Sequence, residues 1–328
     1  MEAGKPSRNL AVELVRVTEA AALSAAPFMG RDDKQAADQA AVDGMRHMLS
    51  TIEMDGVVVI GEGEKDEAPM LYNGERLGSG DLPEVDIAVD PIDGTTPLVK
   101  GRENSIATVA IAPRGTMFDP GPFVYMNKIA VGPACRRAID IEKPVADNLK
   151  AIARALGKRS EDITVMILDR DRHKELIAEA RRCGARIRLI TDGDVTGALL
   201  TAWPDAGIDV LMGIGGTPEG VLAACALRAM GGEIQGKLHA RNPDELRKGR
   251  ELGYDFDRVL TMDDLVSSDD VCFAATGITD SQLLDGVKYF SHGARTDSLV
   301  VRGLTGTVRQ IRATHSLEKL EKVTGVHY

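Results

Sequence analysis

The sequence predicts an α/β fold, on three observations. From about residue 146 onward, segments of helical length alternate with short apolar runs. Two apolar strands in the first third each end in a cluster of acids. Aromatic residues make up only 4% of the 328, so the core must rest on Val, Ile, Leu, Ala and Met packed in helices and sheet.

Leu10, Leu14, Val17 and Ala21 place a helix over 8–24, with Ser7 available as its cap. Ala41, Met45, Met48 and Leu49 give a second helix at 36–49. Val57 to Ile60 read as a short buried strand, and 85–90 as a half-buried one alternating Val85, Ile87 and Val89 with polar neighbours. Further strands are expected at 105–112 and 123–131. Then come helix 146–156, strand 163–168, helix 173–183, strand 185–190, helix 195–203 and strand 208–214. A last helix runs from Pro218 to Gly231, ahead of a strand at 233–238.

The net charge is −10, which repels nucleic acid and anionic membrane at long range. No apolar run approaches the roughly 18 residues of a membrane span. The N-terminus lacks a signal-peptide pattern. Cys135, Cys183, Cys225 and Cys272 are scattered, as thiols of a reducing compartment would be, and the cytoplasm is the expected location.

The chemistry concentrates in three segments. Gly61-Glu62-Gly63-Glu64-Lys65-Asp66-Glu67 and Asp90-Pro91-Ile92-Asp93-Gly94-Thr95 each follow a strand. Carboxylates gathered on such loops repel one another unless protonated or neutralised by cations, and Mg²⁺ or Mn²⁺ accepts oxygen ligands readily. Each segment alone is also compatible with a solvated or capped turn. Gly213-Ile214-Gly215-Gly216-Thr217-Pro218-Glu219 leads from a strand into a helix, where backbone N–H groups can receive phosphate oxygens. It lacks the Gly-Lys-Ser/Thr ending of a P-loop. The six histidines have no paired spacing and read as surface or packing residues, so zinc hydrolase chemistry is poorly supported.

Asp90–Thr95 resembles the metal-binding signature of the lithium-sensitive phosphatase superfamily. Gly30 to Lys34 with Ala37-Asp38, Val59 to Glu64 through Leu71, Tyr125-Met126, Asp192-Gly193-Asp194 and Gly215 to Gly220 are similar, in that order, to class II fructose-1,6-bisphosphatase of bacteria. The match covers about 8–315. It implies a layered α/β/α/β/α sandwich and hydrolysis of fructose 1,6-bisphosphate to fructose 6-phosphate and phosphate in gluconeogenesis. It also implies a homodimer or homotetramer.

By the same resemblance, Asp38, Glu62, Asp90, Asp93 and Glu219 are the expected metal ligands. Asp93, Gly94, Thr95, Tyr125, Arg170, Asp171, Arg172, Asp192, Gly193, Asp194 and Gly216 fall on substrate-binding positions, and Lys34 on another active-site position. Thr95, paired with Asp66 or Glu64, is expected to orient the attacking water. Arg170 and Arg172, two apart in an extended chain, would face one side and grip the second phosphate. Two departures stand out: Gly-Arg-Asp-Asp-Lys replaces the usual Gly-Arg-Gly-Asp-Lys, and Asp171 stands where the family often has Pro. The expected organisation is a metal-binding lobe, 1–145, closely packed on a substrate-binding lobe, 146–328. Alternatives are a phosphatase that also takes sedoheptulose 1,7-bisphosphate, an inositol-monophosphatase-like enzyme, and a sugar-phosphate sensor without turnover.

Overall fold

A short polar side chain caps the second helix, while the first begins without one. The computed structural model describes residues 9–62 and 71–324. Helix α1 (Leu10–Ala25) starts after Asn9, and α2 (Lys34–Leu49) after Asp33, whose carboxylate accepts from the Ala36 amide. Ser7, expected as the first cap, lies outside the described residues. The two helices pack on each other through small residues, and a Cβ at Gly44 would lie 2.9 Å from the Ala20 carbonyl oxygen.

Strands β1 (Asp55–Ile60), β2 (Arg76–Leu77) and β3 (Glu84–Asp93) follow. Helix α3 (Thr95–Val99) then leads to β4 (Ile106–Pro113) and β5 (Tyr125–Val131). The alternating part runs α4 (Val145–Leu156), β6 (Thr164–Leu168), α5 (Lys174–Arg182), β7 (Arg186–Ile190), α6 (Asp194–Leu200) and β8 (Val210–Gly216). It continues with α7 (Thr217–Met230), β9 (Glu233–Leu238), α8 (Pro243–Glu251) and α9 (Met262–Leu265). Four strands then close the fold ahead of α10 (Leu317–Thr324): β10 (Cys272–Gly277), β11 (Lys288–Phe290), β12 (Gly293–Arg302) and β13 (Thr307–Ser316).

These strands form two sheets. The eight-stranded sheet has the order β11-β12-β10-β4-β3-β1-β2, with β13 paired to β12, and the five-stranded sheet the order β7-β6-β8-β5-β9. Helices α1 and α2 cover the outer face of the first sheet, and α4 and α5 the outer face of the second. Between the sheets lie α6 and α7. The result is five layers, α/β/α/β/α, as the resemblance implied.

Helix α7 is the central layer's main element, with Val221, Leu222, Ala224, Cys225 and Leu227 all fully buried. Its Ala-rich sequence lets both sheets approach closely. The expected boundary at 145 follows the sheets only in part. Strand β5, before it, joins the second sheet, and β10–β13, well after it, return to the first. Among the described residues, no helix is long and apolar enough to cross a membrane.

Candidate active site

Strand β3 carries the acidic turn within itself rather than ending before it. Its pairing with β4 slips by one residue between Asp90–Thr108 and Asp93–Ile106, because Pro91 has no N–H to continue the ladder. The slip turns Asp90 and Asp93 toward a cavity of about 640 Å³, with Glu62 beyond β1 and Glu219 in the first turn of α7 on its other walls. Gly94, at φ +99, ends the strand, and a Cβ there would lie 2.7 Å from the Asn104 carbonyl oxygen. This close approach starts α3 and places Thr95 at the cavity wall.

The acids are held in an electrostatically unfavourable group. Burial, with the charges of Asp93, Glu62 and Glu219, raises the Asp90 carboxyl well above its ordinary range. Burial and the neighbouring Asp194 and Glu219 do the same to Asp93. Glu62 opens to solvent on one side. Desolvation by burial against the cavity wall, then the charges of Asp38 and Glu219, nevertheless pushes it up to about 7. Glu219 also reaches about 7, through burial first and Asp194 second, although Lys128 opposes the rise. Its Oε2 atom is buried without a hydrogen-bond partner. A Cβ at Gly216 would collide with that same carboxylate and push it from its place.

A buried oxygen without a donor, among acids that repel each other, fits a cation supplied from outside. Among the described residues, no three acidic, His or Cys side chains already converge as a complete cage. That is compatible with Mg²⁺-type binding, which uses a few carboxylates and takes its remaining oxygens from water and substrate phosphate. Asp38, in α2, joins the group through Thr95, whose hydroxyl donates to Asp38 Oδ1 at 3.0 Å. Burial raises Asp38 too. Lys34, one turn earlier, is exposed and donates to Thr96 Oγ1 at 2.8 Å. Glu64 and Asp66, the expected partners of Thr95, lie outside the described residues.

A second cavity of about 260 Å³ adjoins the first and shares Val124, Asp192, Pro218 and Glu219 with it. Tyr125, Arg170, Arg172, Asp194 and Gly216 line it. Arg172 does not sit in an extended chain as expected, because Asp171–His173 form a 3₁₀ turn. The turn still brings both arginines to the cavity, with the Arg172 guanidinium 5.3 Å from the centre of the Tyr125 ring. Asp171 points to solvent and pairs with Lys174 at 2.8 Å, so it lines neither cavity. Arg170 stands 3.9 Å from Asp192. Gly193, at φ +82, begins α6 and abuts Asn104, whose side chain donates to the Asp192 carbonyl at 2.8 Å.

Sequence reasoning missed Lys128. It lies in β5, buried to 3% exposure, and its ammonium meets Asp194 Oδ2 and the Gly216 carbonyl, each at 2.8 Å. A lysine in a strand gives no sign of burial until its partner, 66 residues away on α6, is known. Asn104 was missed as well, and its left-handed backbone (φ +81) is the only local feature that marks it.

Comparison with known proteins agrees with this geometry. Residues 8–315 match the family described as bacterial fructose-1,6-bisphosphatase, glpX-encoded. The chain is 44% identical to fructose-1,6-bisphosphatase 1 class 2 of Escherichia coli (strain K12), over 98% of this chain and 99% of the relative. Fructose-1,6-bisphosphatase class 2 of Shigella flexneri matches to the same extent. A solved structure, an extragenic suppressor from Pyrococcus furiosus, overlaps at 16% identity and a TM-score of 0.30. It covers 58% of this chain and 68% of its own, a likeness too slight to bear on the fold. With an acid-lined cavity beside an arginine-lined one and a match along nearly its whole length, the chain belongs to the bacterial, glpX-encoded fructose-1,6-bisphosphatase family.

Proposed function

We propose that this chain hydrolyses fructose 1,6-bisphosphate to fructose 6-phosphate and phosphate, with water attacking the 1-phosphate in the acid-lined cavity. The observation that carries the reading is the adjacency of two unlike cavities. One has surplus carboxylates, and the other has two arginines and a tyrosine. A molecule with a phosphate at each end has a use for both. The family is metal-dependent, and Mg²⁺ or Mn²⁺ is the proposed ion. When bound, such ions would neutralise phosphoryl charge and lower the pKa of a water. Asp90, Asp93, Glu62 and Glu219 would hold them, with Asp38 as the outermost ligand.

The chain's own groups do the rest. Thr95 directs its proton to Asp38, so its oxygen lone pairs are left to accept a hydrogen bond from the attacking water and aim it. Glu64 and Asp66 remain proposed partners in that task, and Lys34 a proposed contributor through Thr96. Gly94, Gly193 and Gly216 keep side chains out of the path of the substrate. Arg170 and Arg172 offer forked donors to the second phosphate, and Tyr125 backs them. Asp192 is the freer acceptor for a sugar hydroxyl, because Asp194 is already engaged by Lys128. Asp171 enters the proposal only as a rim residue.

Phosphate release from fructose 1,6-bisphosphate with Mg²⁺ or Mn²⁺ tests the reading, beside sedoheptulose 1,7-bisphosphate and inositol 1-phosphate. Release from the last alone would refute the bisphosphate assignment, and binding without release from any would make the chain a sensor. A homodimer or homotetramer is the proposed assembly. It is supported by the ten-residue β13, which among the described residues pairs only with β12 and leaves its other edge open, and sedimentation of the full chain tests it. The cytoplasm is the proposed compartment, supported by the buried, unpaired Cys135, Cys225 and Cys272.

A further inference from the structure

His173 is buried to 1% exposure, next in sequence to Arg172 and beneath the second cavity. Strands β6 and β8 pair at only two positions, Val165–Val210 and Met166–Leu211. Beyond these the strands part. Strand β6 stays with β7 as far as Leu168–Ile190, while β8 stays with β5 as far as Gly216–Tyr125. The imidazole of His173 fills the fork. Ile214 N–H donates to Nε2 at 2.8 Å, so the proton sits on Nδ1, which donates to the Leu168 carbonyl at 2.7 Å. One ring thus supplies the hydrogen bonds that a continued ladder would have made, at a wider spacing. Gly213, at φ +126, makes room for it, since a Cβ there would lie 2.9 Å from Nε2.

The Ile214 peptide is held from both sides. Its carbonyl accepts from Arg172 Nε at 3.1 Å and Nη2 at 2.8 Å, while its N–H is taken by His173. We propose that His173 is a positioning residue for the second phosphate: it sets the width of the β6–β8 fork and fixes the Ile214 peptide on which Arg172 is seated. The inference rests on the bisphosphate reading above, in which that cavity takes the distal phosphate. Burial, reinforced by the charge of Arg172, holds the imidazole below its ordinary 6.5 and keeps it the neutral acceptor that Ile214 needs.

Two amide replacements separate the contacts. In His173→Asn the side-chain N–H₂ can still reach Leu168, but nothing reaches Ile214. In His173→Gln the longer carbonyl oxygen can still accept from Ile214. Binding of inorganic phosphate to the EDTA-treated full chain, by calorimetry, reads the arginine cavity to the extent that Arg172→Ala abolishes it, since Arg172 lines that cavity and not the other. The expected order is wild type, then H173Q within about threefold, H173N weaker by about tenfold, and Arg172→Ala without binding. With metal restored, H173N raises the KM for fructose 1,6-bisphosphate by about the same tenfold, while kcat changes by less than about threefold.

Phosphate affinity of H173N equal to wild type overturns the proposal. So does loss of affinity in H173Q as full as in R172A, a fall in kcat with KM unmoved, or the absence of phosphate binding by the wild type. H173Q keeps the test decisive if H173N does not fold. Failure of the bisphosphate reading has a separate signature: no turnover of fructose 1,6-bisphosphate by the wild type, while phosphate binding still follows the expected order.

Discussion

The two adjoining cavities differ in how far their charges are already satisfied. In the arginine cavity, the Lys128 ammonium lies 2.8 Å from Asp194 Oδ2 as an ion pair, although that oxygen accepts no well-aligned hydrogen bond. Arg172 holds the Ile214 carbonyl, and His173 holds the Ile214 amide. In the acid cavity, Asp90 and Asp93 face mainly other carboxylates, and Glu219 carries an oxygen without a partner. The first is organised before any ligand arrives. The second, in the proposed function, is completed by cations, whose entry would relieve the repulsion that its acids cost the fold.

The difference can be broken from the acid side with the largest effect. Asp90→Ala should reduce kcat/KM for fructose 1,6-bisphosphate by at least about 10⁴-fold, since the ions proposed to stabilise phosphoryl charge would lose a proposed ligand. Metal affinity by calorimetry should fall with it, and retained affinity would remove Asp90 from the ligand set. On the arginine side, Lys128→Met should destabilise the fold by about 3–5 kcal/mol in urea, because Asp194 would be left buried and uncompensated. Adding Asp194→Asn should recover most of that loss. A double variant as unstable as the single would show that Lys128 acts by packing, not by charge.

A subtler change sharpens the contrast without emptying either cavity. Thr95→Ala should lower kcat by about 10²-fold and leave metal affinity within a few-fold of wild type, and an unchanged kcat would exclude Thr95 from aiming the water. The smallest expected effect is one of pH on the metal-free protein. Glu62 and Glu219 are pushed from 4.5 to about 7 on folding, so their protonated forms favour the native state. Their contribution is fully present below about 4.5 and is lost as pH rises through 7. The EDTA-treated chain should therefore melt about 2–4 °C lower at pH 8 than at pH 6, and saturating Mg²⁺ or Mn²⁺ should flatten the difference. A slope of opposite sign in EDTA would mean that these acids are already neutralised by the protein.

Legibility in the sequence divided along similar lines. Apart from the two-residue β2 and the short α3, the elements through Leu238 were readable because their apolar residues recur at helical or strand spacing. Nothing after Leu238 was expected, and for β12 and β13 the reason is plain. Strand β12 buries Thr296, Asp297 and Ser298 in its middle, so its pattern does not alternate, while β13 lies mostly open on both faces. Glu62, Asp90 and Asp93, proposed to hold metal, were legible as acids at strand ends, and Glu219 as an acid in a glycine-rich turn, whereas Asp38 joined them only through the family resemblance. Lys128 and His173 were not legible, since their meaning depends on Asp194 and Ile214, which only the folded sheets bring near.

Helix α7 joins the cavities to the rest of the molecule in a way that bears on durability. Its first turn carries Glu219, and its remaining turns are sealed into the layer between both sheets. The acid cavity therefore has no hinge of its own along this wall. Heat inactivation here is a property of the whole chain: α7 cannot release Glu219 without parting the sheets, so catalysis should persist until the domain itself unfolds. Strengthening the apolar packing beneath α4 and α5, on the outer face of the second sheet, would then lengthen the working life of the enzyme.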